Sequence, residues 1–202
     1  MKRRVITITP KSNLHPGSGL GFTALIDSAV TKDVDEWAYI PGSAIKGRLR
    51  SLCKRIALTL EEKYGHVCQA DDVCRNEPPC AICRMFGSPY TEGKLYFTDA
   101  TLDEKTKEEL KHRKLIDPFT GGGQYELKTN VKLSRTRRVS EPKQLFAFQN
   151  ISKELSFSGV IEGDLCERDE QLLYAAVSLL THIGGQKSRG LGRITATLRE
   201  ER

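Results

Sequence analysis

Four cysteines between positions 68 and 83 are the residues whose type and spacing most directly indicate chemistry. They follow the pattern Cys68-x5-Cys74-x5-Cys80-x2-Cys83. Thiolates are common zinc ligands, and the close pair Cys80 and Cys83 can supply half of a tetrahedral shell. A shell of four thiolates leaves no open position, so the spacing predicts a structural Zn²⁺ site, with free thiols as the alternative. His66 is a possible substitute for one of the cysteines.

The same close pair also matches half of the zinc deaminase signature, because Pro79 precedes Cys80. A zinc deaminase further needs a His-x-Glu motif, whose histidine binds the metal and whose glutamate moves the proton. His66 is followed by Val67 and Cys68, and His15 is likewise not followed by a glutamate two positions on. The missing glutamate excludes this class of enzyme.

Asp27 is the second candidate for chemistry, because it is a carboxylate within the mostly apolar run from Phe22 to Val30. An acid in such a run is either a surface-facing residue or a group placed for catalysis. The residues alone leave both interpretations open.

A glycine-rich stretch from Gly184 to Ile194 is the third candidate. It combines four glycines with Lys187, Arg189 and Arg193. Glycines let another chain approach the backbone N–H groups, and the cations favour anions, so the stretch suits phosphate binding. A flexible connector is the alternative. A second glycine-rich stretch, Leu14 to Gly21, matches neither common nucleotide-binding motif and is expected to be a turn.

Composition points to an anionic partner. The 202 residues suit one large domain with a net charge of +6. Arg113 to Lys143 contains eight cations and three acids, which concentrates the charge in one segment. Nucleic acid is the natural ligand of such a segment. No apolar run reaches membrane-spanning length and no signal peptide is evident, so we expect a cytoplasmic protein without membrane contacts.

Periodicity predicts the elements that carry these residues. Arg3 to Pro10 alternates as a strand, and an amphipathic helix is expected from an N-cap at Ser43 to about Tyr64. Further elements are expected as a strand at 94–100, a helix at 103–115, a basic hairpin arm with Gly121–Gly123 at its tip, strands at 145–148 and 155–161, and a helix from 167 to 184. This order predicts an α+β fold with a ferredoxin-like core and two insertions.

Three motifs together resemble the RAMP superfamily of CRISPR systems. They are Ile40 to Arg50 (IPGSAIKGRLR), Cys80 to Gly87 (CAICRMFG) and Gly184 to Gly192 (GGQKSRGLG). The likeness is greatest to the backbone subunit of type III effector complexes. It implies a single RNA-recognition-like domain over residues 1–202, with a zinc-binding insertion at 66–86 and a basic β-hairpin thumb at 112–140. It also implies guide RNA, target RNA, copies of the chain itself and other CRISPR effector subunits as partners.

The resemblance also implies roles for individual residues. In cleaving members an aspartate after the first strand cuts target RNA with a divalent metal, and the matching run Leu25 to Val30 makes Asp27 the catalytic candidate, with Mg²⁺ or Mn²⁺. RNA contacts are expected from His15, Gly17, Gly42, Ser43, Lys46, Arg48, Arg50, Arg135, Arg137, Arg138, Gly185, Lys187, Ser188, Arg189, Gly190 and Gly192.

The sequence departs from the family pattern at three positions. Ala29 stands where a proline is frequent, Lys187 replaces a small residue, and Ser134 stands where an acid is frequent. Two alternatives to a target-cleaving subunit follow from the same resemblance. One is a structural RNA-binding subunit that does not cleave, and the other is a guide-processing endoribonuclease, which would use His15 or His66 as a base.

Overall fold

The computed structural model describes residues 1–17, 27–68, 74, 77–117, 120–134 and 136–201, and for residues 140–144 it describes the backbone. Within these ranges no helix has both the length and the apolar composition needed to cross a membrane. The elements in chain order are β1 (Arg3–Pro10), α1 (Gly42–Thr59), α2 (Glu61–Tyr64), α3 (Ala81–Phe86), β2 (Tyr96–Phe97), α4 (Glu104–Ile116), β3 (Tyr125–Leu133), β4 (Ser140–Ile151), β5 (Phe157–Glu162), α5 (Glu167–Ser178), a 3₁₀ turn (Lys187–Arg189) and β6 (Ile194–Glu200).

The core is a four-stranded antiparallel sheet in the order β2-β5-β1-β6. Helix α1 connects β1 to β2, and α5 connects β5 to β6, which gives the sequence βαββαβ. This order and connectivity are those of the ferredoxin-like motif. The predicted α+β class and ferredoxin-like core are therefore confirmed.

The alternation of buried and partly buried side chains along β1 shows which face of the sheet the helices cover. Ile6 and Ile8 are buried, whereas Thr7 and Thr9 between them are only partly buried. Successive side chains of a strand point to opposite faces, so the isoleucines face the helical layer. The buried residues that α1 and α5 contribute to this core include Ile45, Leu49, Leu52, Leu172, Leu173 and Ala176.

Helix α1 differs from the prediction at both ends. It begins at Gly42, with Pro41 as the N-cap residue, so Ser43 is not the N-cap. The Gly42 N–H donates to Asp99 Oδ1 at 2.7 Å, and a Cβ at Gly42 would lie 2.7 Å from the Thr98 carbonyl oxygen. The close approach of this backbone therefore requires glycine. The helix ends at Thr59, five residues before the predicted end at about Tyr64, and a separate short helix covers Glu61–Tyr64.

Two further element boundaries and the position of the hairpin tip were predicted wrongly. Strand β2 has two residues, whereas residues 94–100 were expected to be extended throughout. Helix α5 ends at Ser178, and His182 instead forms a bridge with Arg193. Gly121–Gly123 lies at the base of the β3–β4 hairpin, where the Gly122 N–H donates to the Asp117 carbonyl. At the opposite end of the hairpin, the Ser134 N–H donates to the Val139 carbonyl, so the glycines do not lie at the tip.

Candidate functional site

Asp27 lies on the outer edge of the hairpin, beside β4. Its backbone N–H donates to the Ala147 carbonyl at 3.0 Å, and the Ala147 N–H donates to Asp27 Oδ2 at 2.7 Å. The side chain is exposed. These two bonds fix the residue on the strand, and they leave the second carboxylate oxygen, Oδ1, without a partner among the described residues.

The same edge of β4 carries a second segment, Leu14 and His15. Leu14 and Ile151 exchange backbone hydrogen bonds of 3.0 and 2.8 Å. The His15 ring is buried, with 6% of its surface exposed. Its Nδ1 lies 2.8 Å from the Gln149 carbonyl oxygen and its Nε2 lies 3.0 Å from Ser28 Oγ. Both ring nitrogens are thus occupied by protein groups, so the ring does not face solvent as an RNA contact.

The glycine-rich loop, residues Gly184–Gly192, is anchored at both ends. The Gly185 N–H donates to the His15 carbonyl at 2.9 Å, and the Gly192 N–H donates to the Asn13 carbonyl at 2.9 Å. Gly192 has φ of 82°, and a Cβ there would lie 2.4 Å from the Ile183 carbonyl oxygen. Between these anchors, Lys187, Ser188, Arg189 and Gly190 are all exposed. The loop therefore presents its cationic turn to solvent from a fixed base.

Arg48 of α1 lies at the base of this loop. Its Nε donates to the His182 carbonyl at 3.2 Å. Burial and the neighbouring positive charge of Arg48 lower the pKa of Lys187. Two cations held this close favour an anion between or beside them. Arg48 thus places a cation of α1 beside the glycine-rich loop and its Lys187.

The other residues predicted at the start of α1 point elsewhere or are occupied. Arg50 donates from NH1 to the Gly87 carbonyl at 2.8 Å, so it holds the end of α3. Gly42 is buried, and its N–H is taken by Asp99, whose carboxylate lies where the helix terminus would otherwise attract a phosphate. Ser43 is exposed and Lys46 is half-buried.

The basic hairpin carries its arginines at the tip. Arg137 and Arg138 are exposed, and Arg138 has φ of 56°. Arg135 lies outside the described residues. Gly17 is exposed and pairs with Val30, which brings the Leu14–Gly17 segment back to the chain after Asp27.

The four predicted cysteines come together as one group. Their sulfur atoms all lie within 4.8 Å of one another, with Cys68 Sγ 3.7 Å from Cys80 Sγ and 3.4 Å from Cys83 Sγ. Four thiolates at zinc–sulfur bond lengths of about 2.3 Å are separated by roughly 3.8 Å in a tetrahedron. The group can therefore hold a metal ion. His66 is exposed and is not part of it.

The surroundings of the cysteines are those of a closed site. The Cys80 N–H donates to Cys74 Sγ at 3.5 Å, an outer-shell bond of the kind that orients metal ligands. Burial opposes ionisation of Cys80, but hydrogen bonds from Cys68 and Cys83 outweigh it and lower the pKa of Cys80 to about 7. Arg84 in α3 makes two 2.8 Å hydrogen bonds to Asp169 of α5, which fixes the segment on the core.

Sequence reasoning missed the partners that hold these groups. Three of these partners bond to a predicted site residue 57 to 134 positions away along the chain, namely Asp99, Ala147 and Gln149. The fourth, Ser28, bonds to His15, which is 13 positions away. Ala147 and Gln149 act through backbone groups, which every residue type offers, so their side chains give no signal. Ser28 follows Asp27 directly, and this adjacency was the one available indication.

The chain is similar to known proteins both in sequence and in structure. The model of the RAMP superfamily matches residues 7–195. A "CRISPR system Cms endoribonuclease Csm3" from Enterococcus italicus is 30% identical over 199 residues, covering 91% of this chain and 83% of that protein. The protein of the same name from Mycobacterium tuberculosis is 28% identical over 204 residues, covering 93% and 83%.

Solved structures with a similar fold include a chain of "Cryo-EM structure of the Type III-B Cmr-beta bound to cognate target RNA". It has a TM-score of 0.69 and 13% sequence identity, and the match covers 98% of this chain and 96% of that one. A chain of the apo state of Cmr-beta gives a TM-score of 0.68 with 12% identity. At these identities the likeness establishes the fold.

Proposed function

The chain belongs to the RAMP superfamily, and on that premise we propose that it is a backbone subunit of a type III CRISPR effector complex. In this role copies of the chain stack along a guide RNA, together with other effector subunits, and cleave the complementary target RNA at Asp27. The observation that carries the cleavage proposal is the exposed Asp27 carboxylate, which is fixed on β4 through Oδ2 and has no partner for Oδ1 among the residues that the structure describes. The endoribonuclease names of the relatives support it.

Guide binding is assigned to the glycine-rich loop and the adjacent α1. The exposed side chains of Lys187, Ser188 and Arg189 suit the sugar-phosphate backbone, which carries the guide's charge at every nucleotide. Arg48 adds a cation at the base of the loop. The exposed Arg137 and Arg138 give the hairpin a basic tip, which suits the role of a thumb that inserts between guide and target.

Cleavage at Asp27 is proposed as attack by a 2′-hydroxyl of the target on its own adjacent phosphate. The 2′-oxygen–phosphorus bond forms and the phosphorus–5′-oxygen bond breaks, leaving a 2′,3′-cyclic phosphate and a 5′-oxygen that takes a proton from water to become a hydroxyl. Asp27 Oδ1 accepts the hydrogen of the attacking hydroxyl or orients it, and its anchorage to Ala147 keeps that geometry fixed. A carboxylate oxygen is also a ligand that Mg²⁺ or Mn²⁺ accepts, and the cation supplies charge stabilisation at the phosphate.

Zinc is proposed at the cysteine group in a structural role. Four sulfur atoms within 4.8 Å of one another in a largely buried setting fit Zn²⁺. The expected metal content is one ion per chain.

The deciding experiment compares Asp27→Ala with the wild type in assembled complexes carrying a defined guide. Cleavage of a complementary RNA opposite this subunit should fall by about 100-fold or more, and chelation of divalent cations should have the same effect. Asp35→Ala, which removes an exposed carboxylate from a nearby turn, is the matched control and should cleave normally.

A structural subunit without cleavage is the second candidate. The Ala147 N–H bond to Asp27 favours it, because an acid on a strand edge can serve simply to complete the edge's hydrogen bonding. In that case neither the wild-type complex nor the Asp27→Ala complex would cut the target opposite this subunit in the presence of Mg²⁺ or Mn²⁺, although both would bind the guide tightly.

A further inference from the structure

His15 joins two parts of the proposed site from inside the protein. A carbonyl oxygen can only accept, so the ring Nδ1 carries the hydrogen that is donated to Gln149, at 2.8 Å. In the neutral ring Nε2 is then an acceptor, and the Ser28 hydroxyl donates to it, at 3.0 Å. The bonds of the ring thus fix both its tautomer and its orientation.

Ser28 closes a small circuit with the same strand. The Gln149 N–H donates to the Ser28 carbonyl at 3.0 Å, while the Gln149 carbonyl accepts from the His15 ring. The His15 ring therefore bridges β4 and the Ser28 side chain, and Ser28 is the residue next to Asp27. With 6% of its surface exposed and both nitrogens engaged, the ring cannot serve as a free base toward RNA.

The backbone of His15 faces the other part of the site. Its carbonyl accepts from the Gly185 N–H at 2.9 Å. Gly184 has φ of 81°, and a Cβ there would lie 2.8 Å from the His15 carbonyl oxygen. The start of the glycine-rich loop is therefore packed directly on the residue whose side chain holds Ser28.

We propose that His15 is a positioning residue that, through Ser28, fixes Asp27 against β4 and joins it rigidly to the glycine-rich loop. This inference rests on the proposed function, because its effect is defined on cleavage at Asp27. Without the His15–Ser28 bond, the Asp27 segment keeps its backbone bonds but loses the contact that holds it from the interior side. Displacement of a reacting group by about 1 Å costs on the order of 100-fold in rate.

The test uses variants that remove the hydrogen bond between His15 and Ser28. Ser28→Ala removes the hydroxyl, and His15→Asn keeps an amide N–H near the Nδ1 position for Gln149 but removes the acceptor for Ser28. Each is expected to slow single-turnover cleavage at saturating target by about 10- to 100-fold. The double variant should be no slower than the slower single variant, because both remove the same bond. Ser28→Thr retains a hydroxyl and should restore most of the rate.

Guide content and the melting temperature Tm of the complexes are measured in parallel. For Ser28→Ala the guide content should stay at the wild-type level, and Tm should fall by a few degrees at most, because the buried His15 Nε2 loses its donor. His112→Asn, on an exposed position of α4, is the matched histidine control. Full-rate cleavage by Ser28→Ala would overturn the proposal, as would a rate that falls only in proportion to lost guide. If His15→Asn does not fold, the pair Ser28→Ala and Ser28→Thr still decides the matter.

The two proposals fail in different ways. Continued cleavage by Asp27→Ala would remove the catalytic role of Asp27 itself. Inactive Asp27→Ala together with fully active Ser28→Ala and His15→Asn would remove the positioning role alone.

Discussion

The cysteine group and the edge of β4 are opposite kinds of site. The cysteines are buried or half-buried, their sulfur atoms face one another, and the neighbouring Arg84 is paired with Asp169, which has 1% of its surface exposed. At the edge of β4, Asp27 is exposed, and the nearby cationic loop has Lys187 without a carboxylate partner in the described part of the chain. The polar groups of the cysteine group bond to one another, whereas the exposed side chains at the edge of β4 can still bind another molecule.

This difference separates stability from activity. A closed shell of four sulfur ligands has no position for a substrate, so a metal held there would only stabilise the fold. An exposed carboxylate and unpaired cations contribute little to folding, because water solvates them in both states. Substitutions in the cysteine group should therefore change mainly stability, and substitutions at the edge of β4 should change mainly activity.

The largest effect is expected from Cys83→Ser, which removes a ligand with 1% of its surface exposed from α3. Bound metal should fall from about one ion per chain to none, as measured by elemental analysis. The free energy of unfolding should fall by at least about 3 kcal/mol, a drop in Tm of roughly 6–12 °C.

Two other cysteines serve as controls for that substitution. Cys166→Ser changes an exposed thiol and should alter neither metal content nor Tm. Cys53→Ser places a hydroxyl at a buried thiol outside the group, which measures the cost of the hydroxyl alone. A Cys83→Ser protein that keeps its metal and its Tm would show that the closed site does not stabilise the fold.

The sequence predicted best the features that depend on neighbours along the chain. Alternation gave β1 with the observed bounds, Arg3–Pro10, and charge with periodicity gave α4 to within one residue at each end. The four cysteines were also predicted to lie together, and their sulfur atoms lie within 4.8 Å of one another. In each case the side chains themselves carry the information.

The sequence predicted poorly what depends on distant backbone contacts. Asp27 bonds to a residue 120 positions away, and His15 to one 134 positions away. An edge strand accepts any residue that supplies an N–H and a carbonyl, so nothing in the type of Ala147 marks it as a partner. For the same reason Gly121–Gly123 was placed at the hairpin tip, although those glycines form the turn at its base.

An effect of intermediate size is expected from Lys187→Gln in the glycine-rich loop. Burial and the charge of Arg48 lower the pKa of Lys187, and a bound phosphate would relieve that repulsion. Affinity for a guide-length single-stranded RNA should fall several-fold at low salt. The slope of log affinity against log salt should become shallower by about 0.7, the value for one phosphate contact.

The matched control for Lys187 is a lysine that already has a partner. Lys107 lies 2.8 Å from Glu104 in α4, so Lys107→Gln should leave both the affinity and the salt slope unchanged. Equal losses for the two variants would mean that RNA responds to total charge, and the glycine-rich loop would then have no special role in binding.

Substitution of Asp27 is expected to have the smallest effect on stability, although it is expected to have the largest effect on cleavage activity. Asp27→Asn keeps an oxygen that can accept from the Ala147 N–H, so its Tm should match the wild type. Asp27→Ala loses that solvent-exposed bond, worth about 1 kcal/mol at most, which corresponds to a decrease in Tm of roughly 2–4 °C. Thermal denaturation of both variants, beside Cys83→Ser, measures the separation directly. A decrease for Asp27→Asn as large as that for Cys83→Ser would mean that the carboxylate at the edge of β4 is itself part of what holds the fold together.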